Sequence, residues 1–172
     1  MRVFLKVLHF LMLALALVIQ LSFAEYLKFY SINLDLVMIC VVSIAIIDGY
    51  LYGIAYGFLF GLLLDLMGGN IAGINAFIYA FNAFIAARLM EMGIKRKYPL
   101  LLLIIFFITE INLLVEALLL YLFNFSINIV ELGREMLLKP VYSIVFTMVI
   151  FPLFDLGQKE RWEFGFQNKE EN

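Results

Sequence analysis

Ionisable side chains are scarce inside the apolar stretches of this chain, and lipid makes each one costly enough to suspect a function. Asp65 closes a long apolar stretch and is followed by Gly68-Gly69-Asn70 and Gly73. A carboxylate near a helix C-terminus opposes the helix dipole, so it needs donors close by. The amides that open the next helix, at about Ile71 to Ile74, are within reach across the turn. Asp65, Gly69, Asn70 and Gly73 therefore read either as a hairpin clasp or as a contact for a partner. A second set is Thr109, Glu110, Asn112 and Glu116. Thr109, Asn112 and Glu116 stand at i, i+3 and i+7 and share one helix face, with Glu110 about 100° away. That polar face reads as a cavity or docking surface, or as an interhelical hydrogen-bond network.

The remaining candidates are ordinary. His9 is alone on the first apolar run and is expected to hydrogen-bond a neighbouring helix rather than hold a metal. Arg88 and Glu91, three apart, suggest a local ion pair. Cys40 is the one cysteine, so there is no disulfide framework and no metal-binding spacing; it reads as a small buried hydrophobe. No HExxH, phosphate-binding loop or nucleophile motif is present. The expectation is a non-enzyme without cofactor or metal.

A different spacing governs the elements that carry these groups. Gly49, Gly53, Gly57, Gly61, Asp65 and Gly69 recur every four residues along one apolar stretch. In water each interior glycine would cost a helix about 1 kcal/mol relative to alanine. In lipid the backbone must satisfy its own hydrogen bonds and the helix forms regardless. Gly49, Gly53, Gly57 and Gly61 then leave a groove for close helix packing. A repeat of four overshoots the helical turn by about 40° per step, so the groove winds round the helix.

Of 172 residues, 65 % are hydrophobic and 15 % charged, which excludes an ordinary soluble domain. The net charge of −2 points to no nucleic-acid partner. Apolar runs at about 3–24, 34–47, 50–67, 71–89, 99–123 and 136–156 predict an all-α integral membrane protein with six transmembrane helices. A span needs about 20 residues. Five runs meet that comfortably, while 34–47 is short, either a full span with borrowed flanks or a re-entrant helix. Asn124, Ser126, Asn128 and Gly133 mark the last loop, and Pro99 sits where a first helical turn tolerates it. Residues 1–156 form one transmembrane domain and 157–172 a short tail, in which Trp162, Phe164 and Phe166 could reach the headgroup layer. Ser22-Phe23-Ala24 resembles a signal-peptidase site, but the preceding run is long for a signal and is read as a retained span.

Charge orients the spans. With six spans and a cytoplasmic N-terminus, nine basic residues fall inside (Arg2, Lys6, Arg88, Lys95, Arg96, Lys97, Lys159, Arg161, Lys169) against three outside (Lys28, Arg134, Lys139). A five-span arrangement does no better than eight against four. The positive-inside rule therefore favours six spans with both termini cytoplasmic. Asp65 and Glu116 then share the outer half of the membrane, where neighbouring carboxylates can hold a proton between them.

The segment 53–82 resembles the signature region of the MreD family of rod shape-determining membrane proteins. That family carries a glycine-spaced helix running into a G-x-x-x-D-L element, a short glycine-containing turn and a further span. Gly57, Gly61, Asp65, Leu66, Gly69 and Gly73 occupy those places. The resemblance implies a non-enzymatic scaffold of the cell-wall elongation machinery in the bacterial inner membrane. It also implies a partner of the MreC type and, through it, MreB, RodA and a transpeptidase. The family is thought similar in architecture to the substrate-binding subunits of energy-coupling-factor transporters. A solute-binding transport subunit, with its ligand near Asp65, Asn112 and Glu116, is accordingly the rival reading.

The charge count yields a test of topology. Single cysteines placed beside Lys95 to Lys97 and in the tail after Gly157 should be labelled only from the cytoplasm, and cysteines at 124–135 only from outside. Labelling of the Lys95 to Lys97 segment from the outer face would exclude the six-span arrangement.

Overall fold

A computed structural model of the chain describes residues 2–22, 35–68, 72–91, 98–122 and 128–154. They form six helices: α1 Arg2–Ser22, α2 Leu36–Asp48, α3 Tyr50–Gly68, α4 Ile74–Glu91, α5 Tyr98–Leu122 and α6 Ile129–Phe154. Four of them are long and apolar enough to cross a membrane, whereas α2 and the apolar part of α4 (Ile74–Met90) are shorter. The Lys95 to Lys97 cluster, Gly69, Asn70 and the tail lie outside the described residues.

The short second run became the centre of the bundle. Its 13 residues give about 20 Å of helix, short of a hydrocarbon core of about 30 Å. Every residue from Leu36 to Ile46 is buried, and α2 packs against α1, α3, α4 and α6. A helix apolar on all sides belongs inside. At its start Asp35 accepts from the Met38 amide at 3.1 Å. At its end Gly49, at φ 97°, turns the chain into α3 and donates to the Ala45 carbonyl at 3.1 Å. Helices ending on a residue of positive φ favour glycine.

Along α3 the buried line is Gly53, Gly57, Phe60, Gly61, Leu64 and Asp65. A Cβ on Gly57 would lie 2.8 Å from the Tyr79 carbonyl carbon, and one on Gly61 would lie 2.6 Å from the Ala76 Cα. At Gly53 it would strike Ala45 of α2 and come within 3.2 Å of the Ala83 Cβ of α4. The α4 backbone thus lies directly on α3, and α2 closes the near end. Gly49 is a correction to the four-glycine groove: nothing lies within 4 Å of its Cβ position. Its place in the series reflects the turn, not the packing.

Two further boundaries differ from the hydropathy. The fourth apolar run starts at about 71 and is long enough for a span, yet α4 begins only at Ile74, because Ala72 and Gly73 form a turn with Gly73 at φ 100°. At the other extreme α6 starts at Ile129, ahead of the apolar run. Asn128 opens it, with Oδ1 accepting from the Val130 amide at 3.1 Å and its carbonyl from the Leu132 amide at 3.0 Å. Gly133 and Arg134 therefore lie inside a helix rather than in a loop, and Lys139, Pro140 and Pro152 are within the same helix. Pro99 falls in the first turn of α5, as its lack of an N–H allows.

The backbone contact is open to measurement. Gly57→Ala and Gly61→Ala should each lower stability by about 1–3 kcal/mol through overpacking, read as an earlier thermal transition in detergent. Phe58→Leu, on the exposed side of α3 (55 % accessible), should change it little. Wild-type melting of Gly61→Ala would refute the contact.

Candidate functional site

Buried polar groups collect at the two ends of the bundle, and at each they tie helices distant in sequence. The first cluster belongs to Asp65, which is fully buried in the last turn of α3. Its Oδ2 accepts from the amides of Gly73 (2.9 Å), Asn75 (3.1 Å) and Ala76 (3.4 Å). Oδ1 accepts from Asn75 Nδ2 at 2.7 Å and the Asn75 amide at 3.3 Å. One carboxylate thereby satisfies the otherwise orphaned amides that begin α4, and its charge sits at the favourable end of that helix dipole. The donors run from Gly73 to Ala76, slightly beyond the Ile71 to Ile74 window expected from sequence.

The second cluster at the same end was not singled out from sequence. Asp35 Oδ1 accepts from the Tyr79 hydroxyl at 2.6 Å and from Gln20 Nε2 at 3.4 Å, while Gln20 Oε1 accepts from the Val37 amide at 2.9 Å. Residues of α1 and α4 thus complete the N-terminus of the buried α2. Part of this was legible: an Asp directly before an apolar run is a helix-start signal. Gln20 and Tyr79 carry no such local mark.

On α5, Thr109 and Asn112 are buried, Glu110 is half-buried, and the Glu116 side chain is 48 % exposed. Thr109 Oγ1 donates to its own helix, to the Ile105 carbonyl at 2.9 Å. Glu116 Oε2 stands 4.0 Å from Nζ of the buried Lys139 on α6. Asp65 spends both oxygens on α4, so its carboxylate is not paired with Glu116; the charge beside Glu116 is a lysine. The side-chain nitrogen of Asn82, the Asn112 oxygen and the Ser143 hydroxyl are buried without a hydrogen-bond partner among the described residues.

At the opposite end His9 Nδ1 lies 2.7 Å from Asp48 Oδ2, and Nε2 lies 3.1 Å from the Phe154 carbonyl. A carbonyl only accepts, so Nε2 carries a hydrogen. The Nδ1 contact sets the imidazole directly against the Asp48 carboxylate. His9 so joins the start of α1 to the ends of α2 and α6. Beside it a cavity of about 340 Å³ is lined by the last turn of α2, Gly49, and Ala87 and Met90 of α4. Lys6 bonds the Tyr52 hydroxyl, and the Arg88 guanidinium lies 4.9 Å from the Tyr50 ring. The Glu91 side chain lies outside the described residues. No cluster of three or more His, Cys, Asp or Glu with metal-holding geometry occurs among the described residues.

A family model described as rod shape-determining protein MreD covers residues 1–156. No curated protein and no solved structure matches the chain.

The Asp65 geometry sets an order among variants. Asp65→Leu strands the amides of Gly73, Asn75 and Ala76, at about 1–3 kcal/mol for a buried group. Asp65→Asn keeps one acceptor oxygen but turns an NH2 toward Asn75. Folded protein recovered from membranes should fall in the order wild type, Asn, Leu; Leu recovered at wild-type yield would rule out the clasp.

Proposed function

Because the chain belongs to the MreD family of rod shape-determining membrane proteins, we propose that it is a non-enzymatic scaffold of the bacterial cell-wall elongation complex. It sits in the inner membrane with both termini in the cytoplasm and partners an MreC-type single-span protein. Through that partner it acts with MreB, RodA and a transpeptidase.

The observation that carries this reading is the engagement of Asp65. A solute-binding subunit would need Asp65, Asn112 and Glu116 to converge on a ligand. Both Asp65 oxygens are instead taken by the start of α4, and Glu116 faces Lys139. The carboxylate that the family pattern marks thus has a packing task, which suits a scaffold. The glycine face of α3 is likewise filled from within the molecule by α4 and α2. A partner's span would meet the large side chains left outward on α3 and α4, among them Phe58, Leu66, Phe77 and Phe81. Bare helix surface of this kind associates in lipid through van der Waals packing.

The test uses a rod-shaped bacterium that depends on this chain alone. Depletion should give round cells, and a tag on the chain should retrieve a single-span membrane protein. Cell shape in the Asp65→Asn and Asp65→Leu strains should follow protein abundance. Round cells from Asp65→Asn at wild-type abundance would contradict a packing role, and retrieval of an ATP-binding cassette instead would favour transport.

A further inference from the structure

Lys139 and Glu116 set the register of α5 against α6. The two helices follow one another through a short connection and pack together, so they run antiparallel. One turn onward in α6 is then one turn back in α5, and Ser143 comes level with Asn112. Both residues are buried, at 1 % and 4 % exposure. Ser143 Oγ and Asn112 Oδ1 nevertheless have no hydrogen-bond partner among the described residues. Ser143 could bond back to its own helix, as Thr147 does to the Ser143 carbonyl at 2.6 Å and Thr109 does to Ile105, but it does not.

The turn above is polar as well. The Lys139 side chain is 10 % exposed, and its ammonium stands 4.0 Å from Glu116, beyond hydrogen-bond length. Pro140, inside α6, has no N–H to offer the carbonyl four residues before it, that of Met136. One seam thus gathers a cation, a hydroxyl and an amide oxygen. In hydrocarbon each unsatisfied group costs several kcal/mol.

We infer that the seam between α5 and α6 is a hydrated binding crevice for small molecules that both donate and accept hydrogen bonds, water foremost. Its mouth is at Glu116, whose side chain is half exposed, and Lys139, Asn112 and Ser143 form its walls. Its floor lies at the level of Thr109 and Thr147, which satisfy themselves. This site is separate from the Asp65 clasp and independent of the scaffold assignment.

Thiol chemistry tests it, since a cysteine ionises and reacts only where water reaches it. Ser143→Cys, Asn112→Cys, Thr147→Cys and Val145→Cys would each be reconstituted in liposomes, with a small cationic methanethiosulfonate admitted to both faces. Size-exclusion profiles would confirm folding. The wild-type chain supplies the baseline, because its one thiol, Cys40, is buried in α2, and Val145, 53 % exposed on the outer surface of α6, supplies a lipid-facing control. Ser143→Cys or Asn112→Cys should react at least about tenfold faster than Val145→Cys, with Thr147→Cys at baseline. Protection of both Ser143→Cys and Asn112→Cys would overturn the inference, and so would Thr147→Cys reacting as fast as they do. Because reagent reaches both faces, the result does not depend on which end of the bundle faces out.

Discussion

Contact between the backbones of α3 and α4 is the constraint to which the other packing conforms. In lipid no hydrophobic force drives helices together, so close van der Waals approach must do it. Gly57 and Gly61 permit that approach, since a single Cβ at either would overlap the α4 main chain. Asp65 then holds the far end of the pair by binding the first amides of α4. Side-chain packing and a charge-assisted helix cap thereby act on the same two elements. The short turn between them needs to carry little of the load.

With α3 and α4 joined, α2 has a wall to stand against. It is too short to span unaided and too apolar to lie at a surface, and the bundle resolves both by enclosing it. Burial creates a demand, because the ends of a buried helix leave amides and carbonyls that water cannot reach. At one end Asp35 and Gln20 take the amides of Met38 and Val37, with the Tyr79 hydroxyl on the Asp35 carboxylate. At the other, Gly49 closes the chain and the His9–Asp48 pair ties in α1 and α6. Tyr79 connects the two themes, since its backbone lies on Gly57 while its hydroxyl serves Asp35.

These arrangements divide the polar residues by task. Asp65, Asp35, Gln20, His9 and Asp48 are matched with partners and stabilise the bundle. Asn112 and Ser143 have no hydrogen-bond partner among the described residues, and they lie beside the Lys139–Glu116 pair between α5 and α6. A membrane protein whose activity is assembly has use for the first kind throughout. The second kind lines the seam inferred above to take water.

The six helices were legible from hydropathy, and the tight packing of α3 from glycines spaced by four, because both depend on local composition. Asp65 was legible for the same reason: a carboxylate just before a glycine turn has donors within a few residues. Three things came only from the tertiary structure. Gly49 shares the spacing of the packing glycines but serves a turn, because the chain bends before the contact begins. Gly133 looked like a loop residue, yet Asn128 starts α6 early enough to put it inside the helix. Asp35 finds its distant partners on α1 and α4, and His9 finds its partners on α2 and α6; nothing local marks them. Local sequence determines where helices form and which face can come close; which buried charge meets which partner is decided only when the helices are assembled, since those contacts join residues tens of positions apart.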